Sequence, residues 1–229
     1  MSNELTDGQA VQSATRIMLR PIANPLPLGF LALAAGTLLV SGLQLEWLAP
    51  ADGHDVGVIV IAFVVPLQLI ASIFGFLTRD IVAGTAMGLL GGTWLAIGLI
   101  TVRGEPGTRS AALGLFLLVV AAALLVPAVA AVGAKRVPAA VLVTAALRFL
   151  VTGIAQLYDG STSRIAAGVI GLLLCLLGTY AALALLIEDA RHGTLLPVGR
   201  VARGRNSVRD NFASQLRDLP HEAGVRNQL

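Results

Sequence analysis

Charge is scarce in this chain: of 229 residues only 13% are Asp, Glu, Lys or Arg, while 56% are apolar. A soluble domain carries about a quarter charged residues, so a globular enzyme with a water-facing shell is excluded. The 16 basic and 13 acidic residues leave a net charge of +3, too small and too dispersed for the footprint of a nucleic-acid binder. Cysteine occurs once, at Cys175, which rules out an intramolecular disulfide and any cysteine-based metal cluster; its apolar neighbours make it a small core residue. Lysine also occurs once, at Lys135. There is no Walker loop, no HExxH and no GxSxG, and His54, His192 and His221 all lie outside the apolar runs. No cofactor, metal or covalent chemistry is expected.

What the chain has is long apolar runs. Six stand out, Leu26 to Trp47, Val56 to Leu77, Ile81 to Val102, Ser110 to Gly133, Pro138 to Tyr158 and Ile165 to Ile187, each 21 to 24 residues long. A helix rises about 1.5 Å per residue and the hydrocarbon of a bilayer is about 30 Å thick, so each run makes one crossing. Backbone amides in lipid must be satisfied within the segment, and period-two alternation is absent, so the spans are helices rather than barrel strands. The expected fold is an all-α, six-helix integral membrane protein. Its first run starts too late and is too long for a signal peptide, and is expected to stay in the mature chain.

Basic residues set the orientation. Arg16, Arg20, Arg79, Lys135, Arg136 and Arg191 fall on one side with the tail arginines 200, 203, 205, 209, 217 and 226; Arg103, Arg109 and Arg164 fall on the other. Both termini are therefore expected in the cytoplasm. Residues 1–23 form a polar N-terminal segment, 24–199 the six-helix transport domain, and 200–229 an arginine-rich cytoplasmic tail whose composition suits disorder. The tail either stays solvated or touches anionic lipid or a partner.

Gly84, Gly88 and Gly92 make a small-residue ridge on the third span, with weaker pairs at Ala32/Gly36 and Ala167/Gly171, all suited to close helix packing. Pro66 and Pro127 inside spans two and four are expected to kink them, freeing the carbonyls of Ala62 and Ala123. The costliest residue is Arg148, about ten residues or ~15 Å from either end of span five. It cannot easily reach either surface, stays ionised, and costs at least ~2.5 kcal/mol at mid-bilayer. No span offers a central acid, since Glu46 and Glu188 lie at helix ends. Its counter-charge is either a travelling anionic solute or fixed carbonyls of the protein or of a neighbouring subunit.

Thr144, Thr152 and Gln156, at i−4, i+4 and i+8 from Arg148, predict a polar band on span five; Gln68 and Ser72 on span two and Thr93 on span three add polar groups. Together they suggest a narrow polar passage. With no central Asp, Glu or His, the usual proton relay is missing, which favours facilitated diffusion or co-passage of a proton with the solute.

Three stretches carry a family resemblance. Asn24-Pro25-Leu26-Pro27-Leu28-Gly29-Phe30 resembles the N-P-A-P-L-G signature of acetate uptake transporters, the succinate-acetate permease family, with Leu26 in place of alanine. Two prolines just inside a helix start remove amide donors that would otherwise be orphaned, and Asn24 can cap that end. The stretch from Gln68 to Trp94 is similar to the family's second-to-third-helix hairpin, with Gln68, Ala71, Gly84, Gly91 and Trp94 at matching places. Gly193-Thr194-Leu195-Leu196-Pro197-Val198-Gly199 resembles its terminal T-x-L-P-x-G element. The likeness spans about residues 20–200.

The resemblance implies a multi-pass protein of the bacterial inner membrane, a pathway within each protomer, assembly as a homo-hexamer in the lipid, and passage of acetate or another small carboxylate. The family's narrowing by Phe, Tyr and Leu corresponds here to Leu33, Leu90 and Ala145, so both rings are gone and the gate is aliphatic. The expected pathway residues are Asn24, Leu33, Gln68, Leu90, Thr93, Thr144, Ala145, Arg148 and Thr152. Two other readings stay open: a channel for neutral urea-like or amide-like solutes in which Arg148 is structural, and a non-transporting membrane subunit whose tail docks a cytoplasmic partner.

Overall fold

A computed structural model describes residues 22–158, 160–191 and 195–201. The expected N-terminal segment up to residue 21 and the tail from residue 202 lie outside the described residues. Six helices in the described residues are long and apolar enough to cross a membrane: α1 (Leu26–Gln44), α2 (Pro50–Leu77), α3 (Ile81–Arg103), α4 (Ala111–Val132), α5 (Arg136–Leu157) and α6 (Ser161–Arg191). Their apolar cores match the six runs. Two helices extend well beyond their runs: α2 has 28 residues and α6 has 31. Intrahelical hydrogen bonds need no apolar side chains, so a helix continues into polar sequence beyond the hydrocarbon.

The helix starts follow from local chemistry. At α1 the Leu26 amide donates to Asn24 Oδ1 at 3.1 Å, and prolines at 25 and 27 bring no amide to satisfy. At α3 the Ala83 amide donates to Asp80 Oδ1 at 2.9 Å, and at α4 the Leu113 amide donates to Ser110 Oγ at 3.2 Å. The α2–α3 turn is made by Arg79 at φ 62°, which lets the Asp80 amide reach back to the Gly75 carbonyl at 3.0 Å.

Pro66 and Pro127 behave differently. A π-helical turn, Val60–Val64, precedes Pro66 and includes Ala62, the residue whose carbonyl a proline four positions on cannot serve. Pro127 is accommodated inside a continuous α4.

The helices pack as three antiparallel pairs, α1 with α6, α2 with α3, and α4 with α5. Glycines sit where each pair comes closest. A Cβ at Gly75 would lie 2.7 Å from the Gly84 amide nitrogen, and one at Gly153 would lie 2.9 Å from the Gly114 carbonyl oxygen. The ridge on α3 runs through Gly84, Gly88 and Gly91, which face Phe76, Ser72 and Leu69 of α2; Gly92 faces open space. A helix turns 3.6 residues per cycle, so after one step of four the contact line moves to the third residue. The outer surface is apolar, with Val119, Val126, Val129 and Leu176 each at least two-thirds exposed, as lipid requires.

Beyond α6 the chain returns. Residues 198–201 lie along the α4–α5 turn, with the Arg136 amide donating to the Gly199 carbonyl, Val137 to Val198, and Val201 to Ala134, at 3.0 to 3.1 Å. Val198 is buried in the core, and Gly199, at φ 69°, passes so close to Arg136 that a Cβ there would sit 2.8 Å from the Arg136 Cβ.

Candidate functional site: a buried guanidinium below an apolar cavity

Because the spans alternate in direction, α1, α3 and α5 all begin at the same end of the bundle. There, together with the end of α4 at Ala130 and Ala131, they line a cavity of about 90 Å3 walled by Phe30 of α1, Ala83 and Met87 of α3, and Pro138 and Leu142 of α5, with Asp80 and Lys135 at its polar side. Those two are its sole polar side chains, and Lys135 Nζ stands 3.8 Å from Asp80 Oδ2. Burial holds the Lys135 amine below its ordinary pKa, opposed by the Asp80 carboxylate; Arg200 lowers it further and Glu188 raises it.

Three residues on from Phe30, Met87 and Leu142 come Leu33, Leu90 and Ala145, each fully buried in the same core. One further step along α5 is Arg148, 1% exposed. Its Nη2 donates to Ser41 Oγ at 3.5 Å and to Gln44 Oε1 at 3.4 Å, both long bonds from α1. The guanidinium carbon lies 5.7 Å from the centre of the Trp94 ring on α3, and Trp94 meets Phe149 edge-on at 6.0 Å. Opposite, Gly171 of α6 gives the group its room: a Cβ there would lie 2.9 Å from Arg148 Nε and would collide with Ser41 Oγ.

Arg148 has no carboxylate partner among the described residues. Glu188 pairs with Arg200 at 2.6 Å, Glu46 with Arg164 at 2.5 Å, and Asp80 with Lys135. Arg148 Nε and Nη1 are buried without an acceptor, as are Trp94 Nε1 and the Gln68 and Glu188 oxygens Oε1 and Oε2 without a donor. Buried polar atoms are nearly always satisfied, so an arginine with two unsatisfied nitrogens inside a membrane bundle needs an explanation.

The polar residues named from the sequence divide. Thr152, buried, accepts a 3.3 Å bond from Gln44 Nε2, so Gln44 links it to Arg148. Gln68, fully buried, reaches across to the Gly29 carbonyl at 3.4 Å. Thr93 donates to its own helix at the Leu89 carbonyl, and half-buried Thr144 donates to Ala140, so neither joins Arg148 through its hydroxyl. Gln156 accepts from the Ser110 amide at the start of α4. Asn24 is exposed and caps α1.

Ser41, Gln44 and the aromatic face of Trp94 were missing from the expected site. A signal existed, since Thr37, Ser41 and Gln44 sit at i, i+4 and i+7 along one face of α1. Among the described residues no three of His, Cys, Asp and Glu gather to hold a metal ion.

Two comparisons bear on this arrangement. The model of the GPR1/FUN34/yaaH family matches residues 7–201. The chain is also similar in structure to the bacterial acetate channel SatP, with a TM-score of 0.69 and 22% identity over 77% of this chain and 99% of that one, which shows the shared fold. No curated protein sequence matches the chain.

Proposed function

The chain belongs to the GPR1/FUN34/yaaH family, and from that premise we propose that it is an inner-membrane channel or transporter for acetate or a related small carboxylate anion, with no covalent chemistry. The fold is that of a protein described as a bacterial acetate channel. The observation that carries the reading is Arg148, a cation deep in the bundle with two N–H-bearing nitrogens that find no acceptor. An uncompensated charge in low dielectric is costly, and a guanidinium edge matches a carboxylate in both geometry and charge. A solute that brings the carboxylate supplies the missing acceptor and leaves again, which a fixed aspartate would prevent.

In this reading the solute moves between Arg148, with Gln44 and Thr152 beside it, and the apolar cavity at the cytoplasmic end through Leu33, Leu90 and Ala145, an aliphatic gate that closes by excluding water. Gln68, with its unsatisfied Oε1, offers a polar contact near the cavity. Thr93 and Thr144 are assigned to the wall of the passage, their hydroxyls being bonded to their own helices, and Asn24 shapes its opening by holding the start of α1. The arginine distribution supports a topology with both ends in the cytoplasm, and the family motifs support a homo-hexamer of 24–199 transport domains with polar segments at either end.

Vesicles containing the protein should take up labelled acetate, with propionate, lactate and succinate ranking the substrates. Arg148→Gln should lower carboxylate uptake at least about tenfold, equivalent to about 1.4 kcal/mol of lost stabilisation, and leave uptake of neutral acetamide unchanged. Equal carboxylate uptake by wild type and variant would remove the arginine from the mechanism.

A further inference from the structure

The cavity at the start of α1, α3 and α5 has apolar walls and two charges, one of each sign, both fixed from behind. Asp80 is anchored by Oδ1, which accepts the Ala83 amide and so holds the start of α3; only Oδ2 faces the lysine. Lys135 is anchored by its backbone: its amide donates to the Ala131 carbonyl at 2.8 Å, and residues 198–201 pair with its neighbours Ala134, Arg136 and Val137. That strap is itself pinned where Arg200 Nε meets Glu188 Oε1 at 2.6 Å, and where Tyr180 donates to the Pro197 carbonyl at 3.0 Å. The ammonium is therefore presented to the cavity by a rigid frame.

Its bonding is incomplete. An ammonium carries three donors, yet its contact with Asp80 is 3.8 Å, beyond hydrogen-bond length, and no other side-chain partner reaches it among the described residues. A lysine side chain 22% exposed at the edge of an apolar cup is partly stripped of water. A small carboxylate with a short alkyl tail fits this chemistry: the anion takes the open donors, and the tail lies against Phe30, Met87 and Leu142.

We propose that Lys135 is the carboxylate-receiving group of this cytoplasmic mouth and that Asp80 is its resident stand-in, so that a small monocarboxylate passes the mouth by exchanging with the Asp80 carboxylate. This rests on the carboxylate-transport reading above. The exchange keeps the mouth near neutrality when empty, at the cost of making every entering anion compete with a tethered one. Asp80 is then a specificity-determining residue acting through Lys135: it disfavours anions that bind an ammonium weakly, and it does not act on neutral solutes.

The test compares initial uptake of labelled acetate and acetamide by inside-out vesicles, whose outer surface presents the Lys135 mouth, holding wild type, Asp80→Asn, Lys135→Gln and the double variant, with thermal unfolding of each. Asn at position 80 retains an oxygen for the Ala83 amide, so the α3 start is preserved. Removing the competing carboxylate should lower the acetate concentration for half-maximal uptake about threefold or more, while Lys135→Gln should raise it by a similar factor. The double variant should follow Lys135→Gln, because Asp80 has nothing to occupy once the ammonium is gone. Acetamide uptake should not change in any of them.

A pair that is only a structural brace would behave otherwise. Both single variants would then lose uptake of acetate and acetamide together, in step with a lower unfolding temperature, and that result overturns the proposal. So does acetate uptake identical in all four proteins, which leaves the carboxylate reading intact. Wild-type vesicles that pass acetamide but no acetate overturn both.

Discussion

Two cations of the protein, one at a mouth and one deep in the bundle, are treated in opposite ways. At the mouth, Lys135 has Asp80 across from it and a second ion pair, Arg200 with Glu188, behind it. In the middle, Arg148 has two long bonds to neutral side chains, a tryptophan face, and two nitrogens with no acceptor. The deeper charge, which pays the larger desolvation cost, is the one with less compensation. Stability alone would arrange this the other way round. In the proposed carboxylate reading, the central charge is kept open for a solute that comes and goes, while the outer one is held near neutrality between visits.

The sharpest way to break this comparison is to give the centre what the mouth already has. Gln44→Glu preserves size and sets a resident carboxylate against Arg148 Nη2, where Gln44 Oε1 already stands at 3.4 Å. Carboxylate uptake should fall at least about tenfold while the unfolding temperature holds or rises, since a buried guanidinium gains a charged partner. Retained uptake with higher stability would show that the guanidinium does not handle solute.

A smaller effect is expected at Gly171, whose missing side chain makes space for the guanidinium. Gly171→Ala brings a Cβ within 2.9 Å of Arg148 Nε and 3.0 Å of its Cζ. The cost should be about 1–3 kcal/mol of stability, read as a lower unfolding temperature. The same substitution at Gly92, which faces open space, should cost nothing from crowding.

The smallest effect belongs to a third pair. Arg164 Nη2 and Glu46 Oε1 are only 2.5 Å apart, but their side chains are 44% and 68% exposed. Arg164→Gln should alter stability by about 0–1 kcal/mol and leave carboxylate uptake as it was, because solvent screens an exposed pair. A large loss of uptake there would mean that the charge that matters lies at the opposite end from the cavity.

Part of the candidate site is legible in the sequence. Arg148 is conspicuous because a charged residue near the middle of an apolar run violates the pattern around it, and the absence of a central acid could be counted directly. The fates of Thr144, Thr93 and Gln156 were not legible. Each has a polar group that its own helix or a helix end can satisfy, and hydrogen-bond choice among nearby acceptors depends on rotamer and neighbour rather than on spacing. Trp94 was visible only as a family match, since nothing in an apolar run says which ring face a cation on another helix will meet.

The number of membrane helices, their apolar faces and the isolation of one arginine were determined by the sequence alone, because lipid penalises every unsatisfied backbone group and every charge locally, residue by residue. The pairing of helices at Gly75 with Gly84 and Gly114 with Gly153, the return of residues 198–201 to the α4–α5 turn, and the unequal partners of Lys135 and Arg148 were decided by the tertiary structure. Those are contacts between distant segments, and their energies depend on how closely two surfaces approach, which local composition does not encode.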